Sequence, residues 1–200
     1  MSVNTVSTFF AVGAIFLGVG VLGVVLLWLI SLVSDGAATA LERLSESVRG
    51  YGLWIAWLMA MVATLGSLYY SEIAGFTPCD YCWYQRIAMY PLAIILGIAA
   101  FRRDHGVRRY VVPLGVIGGF ISAYHYLIQH FPDLDAGSCN VFAPCTAAWV
   151  WKFDFVSIPL MALVSFAVII TALALDRPGL SALDSEMAIV QGSVPQEEDA

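Results

Sequence analysis

The sequence predicts an all-α integral membrane protein, on three observations. Of its 200 residues, 60% are hydrophobic and only 12% charged, with a mean hydropathy of +0.82, whereas charged residues make up about 25% of an ordinary soluble domain. Five apolar runs approach the ~20 residues that a helix needs to cross about 30 Å of hydrocarbon. The basic residues fall almost entirely in alternate connections between those runs, the pattern of a chain that crosses repeatedly with one side positive. The net charge of −6 points to no partner, because Glu186, Glu197, Glu198 and Asp199 place much of the acid in a polar C-terminal tail, a composition that predicts disorder. No basic patch suits nucleic acid.

The first span covers residues 9–33, the second 52–71, the third 83–101, the fourth 110–129 and the fifth 156–175. Arg43 and Arg49 follow the first, Arg102, Arg103, Arg108 and Arg109 separate the third from the fourth, and Arg177 follows the fifth. The positive-inside rule makes that side cytoplasmic. The N-terminus and the connections holding the cysteines then face outward. No side chain before Asp35 is charged. The basic region of a secretory signal peptide is therefore missing, which predicts that the first span is a retained helix.

All four cysteines fall on the predicted outer side, as Cys79 with Cys82 in PCDYC and Cys139 with Cys145 in CNVFAPC. Two local pairs in an oxidising exterior suit two disulfides or two redox-active dithiols, and arithmetic leaves cross-links between the loops open. A purely structural pair of staples is the plainer reading, yet loops this short gain little from closure. Four thiolates could also hold zinc, although the wide second spacing is atypical of such sites. The tight Cys-x-x-Cys spacing is the one associated with thiol exchange.

Cys82 immediately precedes Trp83, the predicted start of the third span, where helix N–H groups would stabilise a thiolate. Arg86 is four residues on, about one turn below the sulfur on the same face. A cation at that depth is costly, so beside the plain reading of an arginine that snorkels to headgroups it marks a candidate functional residue. In AYHYLIQH, His125 and Gln129 share a face of the fourth span at the same outer end. The plain reading is a packing histidine with a satisfied hydrogen bond. The functional one is a polar spot for a small, lipid-soluble ligand with a polar head. After Cys145, TAAWVWKFDF carries Trp149, Trp151, Phe153 and Phe155 around Lys152, which predicts a short segment along the membrane surface.

With these motifs assembled, residues 51–176 resemble the DsbB family of bacterial disulfide bond formation proteins, including the short-loop relatives called BdbC. The resemblance rests on CDYCWYQR opening a helix, on CNVFAPC, on FVSIPLMAL entering the last span and on the polar pair His125 and Gln129. It implies a four-helix transmembrane bundle of DsbB type in residues 51–176. Residues 1–50 would then hold one additional N-terminal transmembrane helix and a cytoplasmic linker, and residues 177–200 a disordered tail. The family of vitamin K epoxide reductases is similar in architecture but carries its Cys-x-x-Cys at the last core helix.

The resemblance further implies a thiol:quinone oxidoreductase of the bacterial inner membrane. A reduced thioredoxin-like oxidase of the DsbA type would pass electrons to Cys139, with Cys145 as its loop mate exchanging with Cys79. Cys82 would meet a quinone, ubiquinone or menaquinone, held by Arg86 with His125 and Gln129 hydrogen-bonding nearby. DsbA is a strong oxidant, near about −120 mV, so a strong terminal acceptor is needed to reoxidise it. The alternative from another class is a non-enzymatic membrane scaffold whose outer loops are held by structural disulfides or zinc. Two features depart from the family pattern: the additional first span, and the spacing of only six between Cys139 and Cys145.

Overall fold

The computed structural model describes residues 2–135, 139 and 143–176, so Arg177 and the predicted acidic tail lie outside the described residues. Helix α1, Val3–Ser31, begins at Ser2, whose hydroxyl accepts the Thr5 N–H, an ordinary serine cap. It starts six residues before the predicted span. Helix α2, Asp35–Val48, occupies what the sequence reading left as a linker. Its alanines, leucines, glutamates and arginine are good helix formers, but too few are apolar in succession to register as a span.

Helix α3, Gly52–Leu68, continues into a single π-helical turn, Tyr69–Ile73. Helix α4 is Asp80–Arg102, and a 3-10 turn, His105–Val107, leads into α5, Arg108–His130. Helix α6, Ile158–Leu175, closes the described chain. Five of these stretches, Val3–Ser31, Gly52–Ile73, Asp80–Arg102, His105–His130 and Ile158–Leu175, are long and apolar enough to span a membrane. The only β pairing among the described residues is an isolated bridge between Lys152 and Val156.

Four helices form a closed ring, α3 on α4, α4 on α5, α5 on α6 and α6 on α3, while α1 lies outside it along α6. Leu92, Leu96, Phe166, Ile169 and Leu173 fill the centre of the ring. Lipid tails are as apolar as leucine, so close packing rather than water exclusion holds such helices together, and small residues let the backbones approach. Gly118 receives the Phe166 ring and Gly97 receives Trp57 in this way.

At the end of the ring away from the cysteines, Asp176 is buried at 1% exposure. It accepts the Gly50 N–H at 2.8 Å and faces His105 Nδ1 at 3.6 Å and Arg108 Nη2 at 3.7 Å. A buried carboxylate needs such partners, and here they tie the start of α3, the start of α5 and the end of α6 together.

Candidate functional site

Helix α4 begins at Asp80 with Cys79 as its N-cap, three residues before the predicted start. Cys79 has the extended backbone of a cap, and its Sγ accepts the Cys82 N–H at 3.4 Å. The expected arrangement is thus corrected. Cys82 lies within the first turn rather than ahead of it, and the sulfur nearest the exposed helix end belongs to Cys79. The shift arises because a cysteine can fill the capping role of serine or threonine, and Asp80 in the first turn complements the helix dipole.

The two sulfurs of this pair are thiols 2.8 Å apart. The hydrogen bond with Cys82, followed by burial, pushes the Cys79 thiol above its ordinary range, and His125 offsets only part of that. His125 is 2% exposed. Its Nε2 lies 3.5 Å from Cys79 Sγ and 3.2 Å from the Cys145 carbonyl, and its Nδ1 lies 3.3 Å from Gln85 Nε2. The Gln85 amide donates to Nδ1, so the ring proton is assigned to Nε2, which donates to the Cys145 carbonyl and faces the Cys79 sulfur.

Cys139 and Cys145 form a disulfide, which resolves the pairing that the sequence left open. Cys145 is 1% exposed and Cys139 only partly buried, and both belong to one packed cluster with Cys79, Cys82 and Ile128. The six-residue spacing therefore needs no long swing of the loop, because the two pairs already adjoin.

On the other side of Cys82, Arg86 donates from Nε to Ser67 Oγ at 3.0 Å and from Nη2 to the Ser67 carbonyl at 3.1 Å. Tyr90 also donates to Ser67 Oγ, at 3.4 Å, and the Arg86 guanidinium sits 5.1 Å from the Trp83 ring centre. A charge inside an apolar helix is thereby anchored at a chosen place instead of snorkelling outward.

Cys82, Gln85 and Arg86 open onto a cavity of about 390 Å³. Its polar lining includes the bonded set Arg86, Ser67 and Tyr90 and, on α6, Ser165, while Met59, Val62, Met161 and Phe166 are among its apolar lining. Its walls come from α1, α3, α4 and α6. Tyr70, Phe76 and Trp149 in the lining stack in turn, Tyr70 on Phe76 at 5.7 Å and Phe76 on Trp149 at 5.4 Å.

Of the three residues assigned to a quinone by resemblance, Arg86 lines this cavity. His125 and Gln129 are not among its lining residues. They do share a face of α5, but that face meets the start of α4 and the loop after Cys145, where the Gln129 amide donates to the Ala147 carbonyl at 3.4 Å. Helical spacing says which residues share a face and not which neighbour the face meets.

Sequence reasoning missed Ser67, Gln85 and Tyr90. Gln85, a polar residue beside Arg86 in an apolar span, carried a signal, whereas nothing in the sequence distinguishes Ser67 from Thr64 or Ser71. The segment after Cys145 contains a tight hairpin turn. Lys152 and Val156 exchange two backbone hydrogen bonds across it, with Phe153 and Asp154 at φ of 54° and 64°.

Comparison with known proteins bears on the same residues. The family model described as "Disulfide bond formation protein DsbB" matches residues 50–176. The "Disulfide bond formation protein C" of Bacillus subtilis (strain 168) is 48% identical over 124 residues, covering 62% of this chain and 90% of that protein. A Deinococcus radiodurans protein named "Probable disulfide formation protein" is 46% identical over 149 residues, covering 70% of this chain and 96% of its own length. No solved structure matches the chain.

Proposed function

The chain belongs to the DsbB family of disulfide bond formation proteins, and from that premise we propose that it oxidises a DsbA-like thiol protein and delivers the electrons to a membrane quinone. The coarser part follows from the family: this is a multi-pass membrane oxidoreductase of disulfide formation. The observation that carries the finer part is the placement of Cys82 and Arg86 one helical turn apart on a single apolar cavity, with the second cysteine pair packed behind the first.

The cavity suits the proposed acceptor. A fixed cation, Arg86, with a mostly apolar lining that includes stacked aromatic rings suits a ring with oxygens and a long hydrocarbon tail. When bound, the quinone supplies the capacity to take two electrons and two protons and leave as quinol. Arg86, held by Ser67, would hold the quinone and stabilise negative charge on its oxygen in a water-poor site without having to reorganise.

Electrons enter at the more exposed sulfur. A thiolate of the partner attacks Cys139, and the electron pair of the Cys139–Cys145 bond leaves on Cys145. The partner's second thiol then displaces Cys139, so the partner departs as a disulfide. Cys145 attacks Cys79 of the oxidised Cys79–Cys82 pair, and the electron pair of that bond leaves on Cys82. Cys139 next attacks Cys145, which restores the Cys139–Cys145 disulfide and releases Cys79. Cys79 and Cys82 would then give up two electrons and two protons as their disulfide reforms, with a quinone held by Arg86 as the acceptor. Exchange runs through thiolates, and the His125 hydrogen bond near Cys79 would favour that sulfur as the leaving group when Cys139 attacks. Gln129 would hold the loop after Cys145 in register with it. The distribution of the basic residues supports an outward-facing position for this machinery.

Following quinone absorbance with a reduced thioredoxin-like partner tests the reading. Wild type should consume one quinone for every two partner thiols. Cys82→Ser should consume neither catalytically, and Cys139→Ala should still exchange electrons with quinone when a small dithiol replaces the partner. If the wild type consumes neither quinone, the proposal is wrong. Cys79, Cys82 and His125 lie within 4.8 Å of one another as possible metal ligands, and stoichiometric zinc in the purified protein would favour the scaffold alternative.

A further inference from the structure

Helix α1 lies outside the residues that the family model matches, yet it supplies Phe9, Phe10, Gly13, Ala14 and Leu17 to the lining of the cavity that holds Cys82 and Arg86. Phe10, Gly13, Ala14 and Leu17 recur at helical spacing, so they form one stripe about 10 Å long on the face turned inward. We propose that α1 is the tail-gripping wall of the quinone site and determines which tail lengths bind tightly. This rests on the quinone reading above.

Three contacts hold α1 in place. The Lys152 ammonium donates to the Asn4 side-chain oxygen, joining the outer end of α1 to the hairpin that follows the second cysteine pair. Phe10 packs on Tyr70 at 6.2 Å and covers Gly66, where an added Cβ would meet its ring at 3.3 Å. Farther along, Gly18 brings the helix onto Val164 of α6 at 3.5 Å from an added Cβ. Helix α1 thus packs on α6 and reaches α3 through Phe10, and the space left between them is the apolar part of the cavity.

Charge complementarity orients the occupant. The cavity's cation, Arg86, sits on α4, and every residue that α1 contributes is apolar, so the ring oxygens belong at α4 and the isoprenoid tail against α1. Gly13 leaves room for it: a Cβ there would meet nothing within 4 Å although the residue lines the cavity.

Gly13→Leu therefore places a side chain where the tail runs. The probes are quinones with one and with eight isoprene units on whichever ring the wild type reduces. The readout is quinone bound per full-length chain at equilibrium, measured from the absorbance of the extracted ligand, without turnover. Gly13→Leu should weaken binding of the long-tailed quinone about tenfold or more, the scale of a steric change in an apolar pocket, and leave the short-tailed one near the wild-type value. Gly20→Leu, the same change at a position off the cavity, should alter neither. Leu17→Ala, which removes part of the wall without adding bulk, should also weaken the long tail selectively, and it carries the test if Gly13→Leu does not fold.

Unchanged long-tail binding in Gly13→Leu and Leu17→Ala overturns the role of α1 while leaving quinone reduction intact. So does an equal loss for both tail lengths. A wild type that binds neither quinone overturns the functional reading itself, and the role of α1 with it.

Discussion

Nothing marked Ser67 as the partner of Arg86 until α3 and α4 were placed side by side, and its removal tests how Arg86 works. The arginine makes two hydrogen bonds to this one residue, one to the hydroxyl at 3.0 Å and one to the carbonyl at 3.1 Å. Ser67→Ala deletes the first and spares the second, because the carbonyl belongs to the backbone. A hydrogen bond to a charged group contributes about 1.5–3 kcal/mol. Taking the lower end, because the second bond still restrains the guanidinium, the loss of orientation costs about 1.5 kcal/mol, or roughly tenfold in quinone affinity. The assay is stopped-flow quinone absorbance over a range of quinone concentrations, alongside the rate at which the partner reduces the Cys139–Cys145 disulfide. The apparent quinone KM should rise about tenfold, the partner reaction should not change, and Ser67→Thr, which keeps the hydroxyl, should restore most of the loss. An unchanged KM in Ser67→Ala, or an equal loss in Ser67→Thr, would refute the idea that Ser67 positions Arg86.

Three further outcomes follow from the same geometry. His125→Ala should slow exchange between the two cysteine pairs by about tenfold, the scale of one hydrogen bond, without changing quinone binding, as measured by trapping the Cys145–Cys79 disulfide over time. Because Cys82 is the first cause that raises the Cys79 pKa, alkylation of Cys79 in the reduced protein should keep accelerating with pH beyond the ordinary thiol range. In Cys82→Ala, that profile should move to lower pH, as followed by mass spectrometry. Gly52→Ala should lower the thermal stability of the detergent-solubilised protein. An added Cβ would lie 2.7 Å from the Ala172 carbonyl and collide with the Asp176 side chain, and overpacking of this kind costs about 1–3 kcal/mol.

Much of this protein could be read from the sequence because a bilayer imposes severe rules. A spanning helix must satisfy its own backbone and present ~20 apolar residues, so all five spans were legible, with errors of a few residues at their ends. The grouping of the cysteines two by two, though not which sulfurs are bonded, and Arg86 one turn below Cys82 were legible because they depend on local spacing alone. Helix α2 escaped because its pattern is polar and a linker and a surface helix look alike by hydropathy. The start of α4 was misplaced because a cysteine acting as an N-cap does not resemble the usual serine or aspartate.

What only the tertiary structure decided is which faces meet. Spacing put His125 and Gln129 on one face, but the packing of α5 turns that face to the cysteine pairs instead of to the cavity. Ser67 and Arg86 are nineteen positions apart, and nothing local announces that they share two hydrogen bonds. The first helix reads as one more apolar span, and that its stripe of Phe10, Gly13, Ala14 and Leu17 lines the same cavity as Arg86 shows only when α1 packs along α6. Hydropathy records the solvent that each residue must face, which the sequence carries residue by residue. The neighbour each residue meets depends on the packing of whole helices against one another, and that is settled only when they assemble.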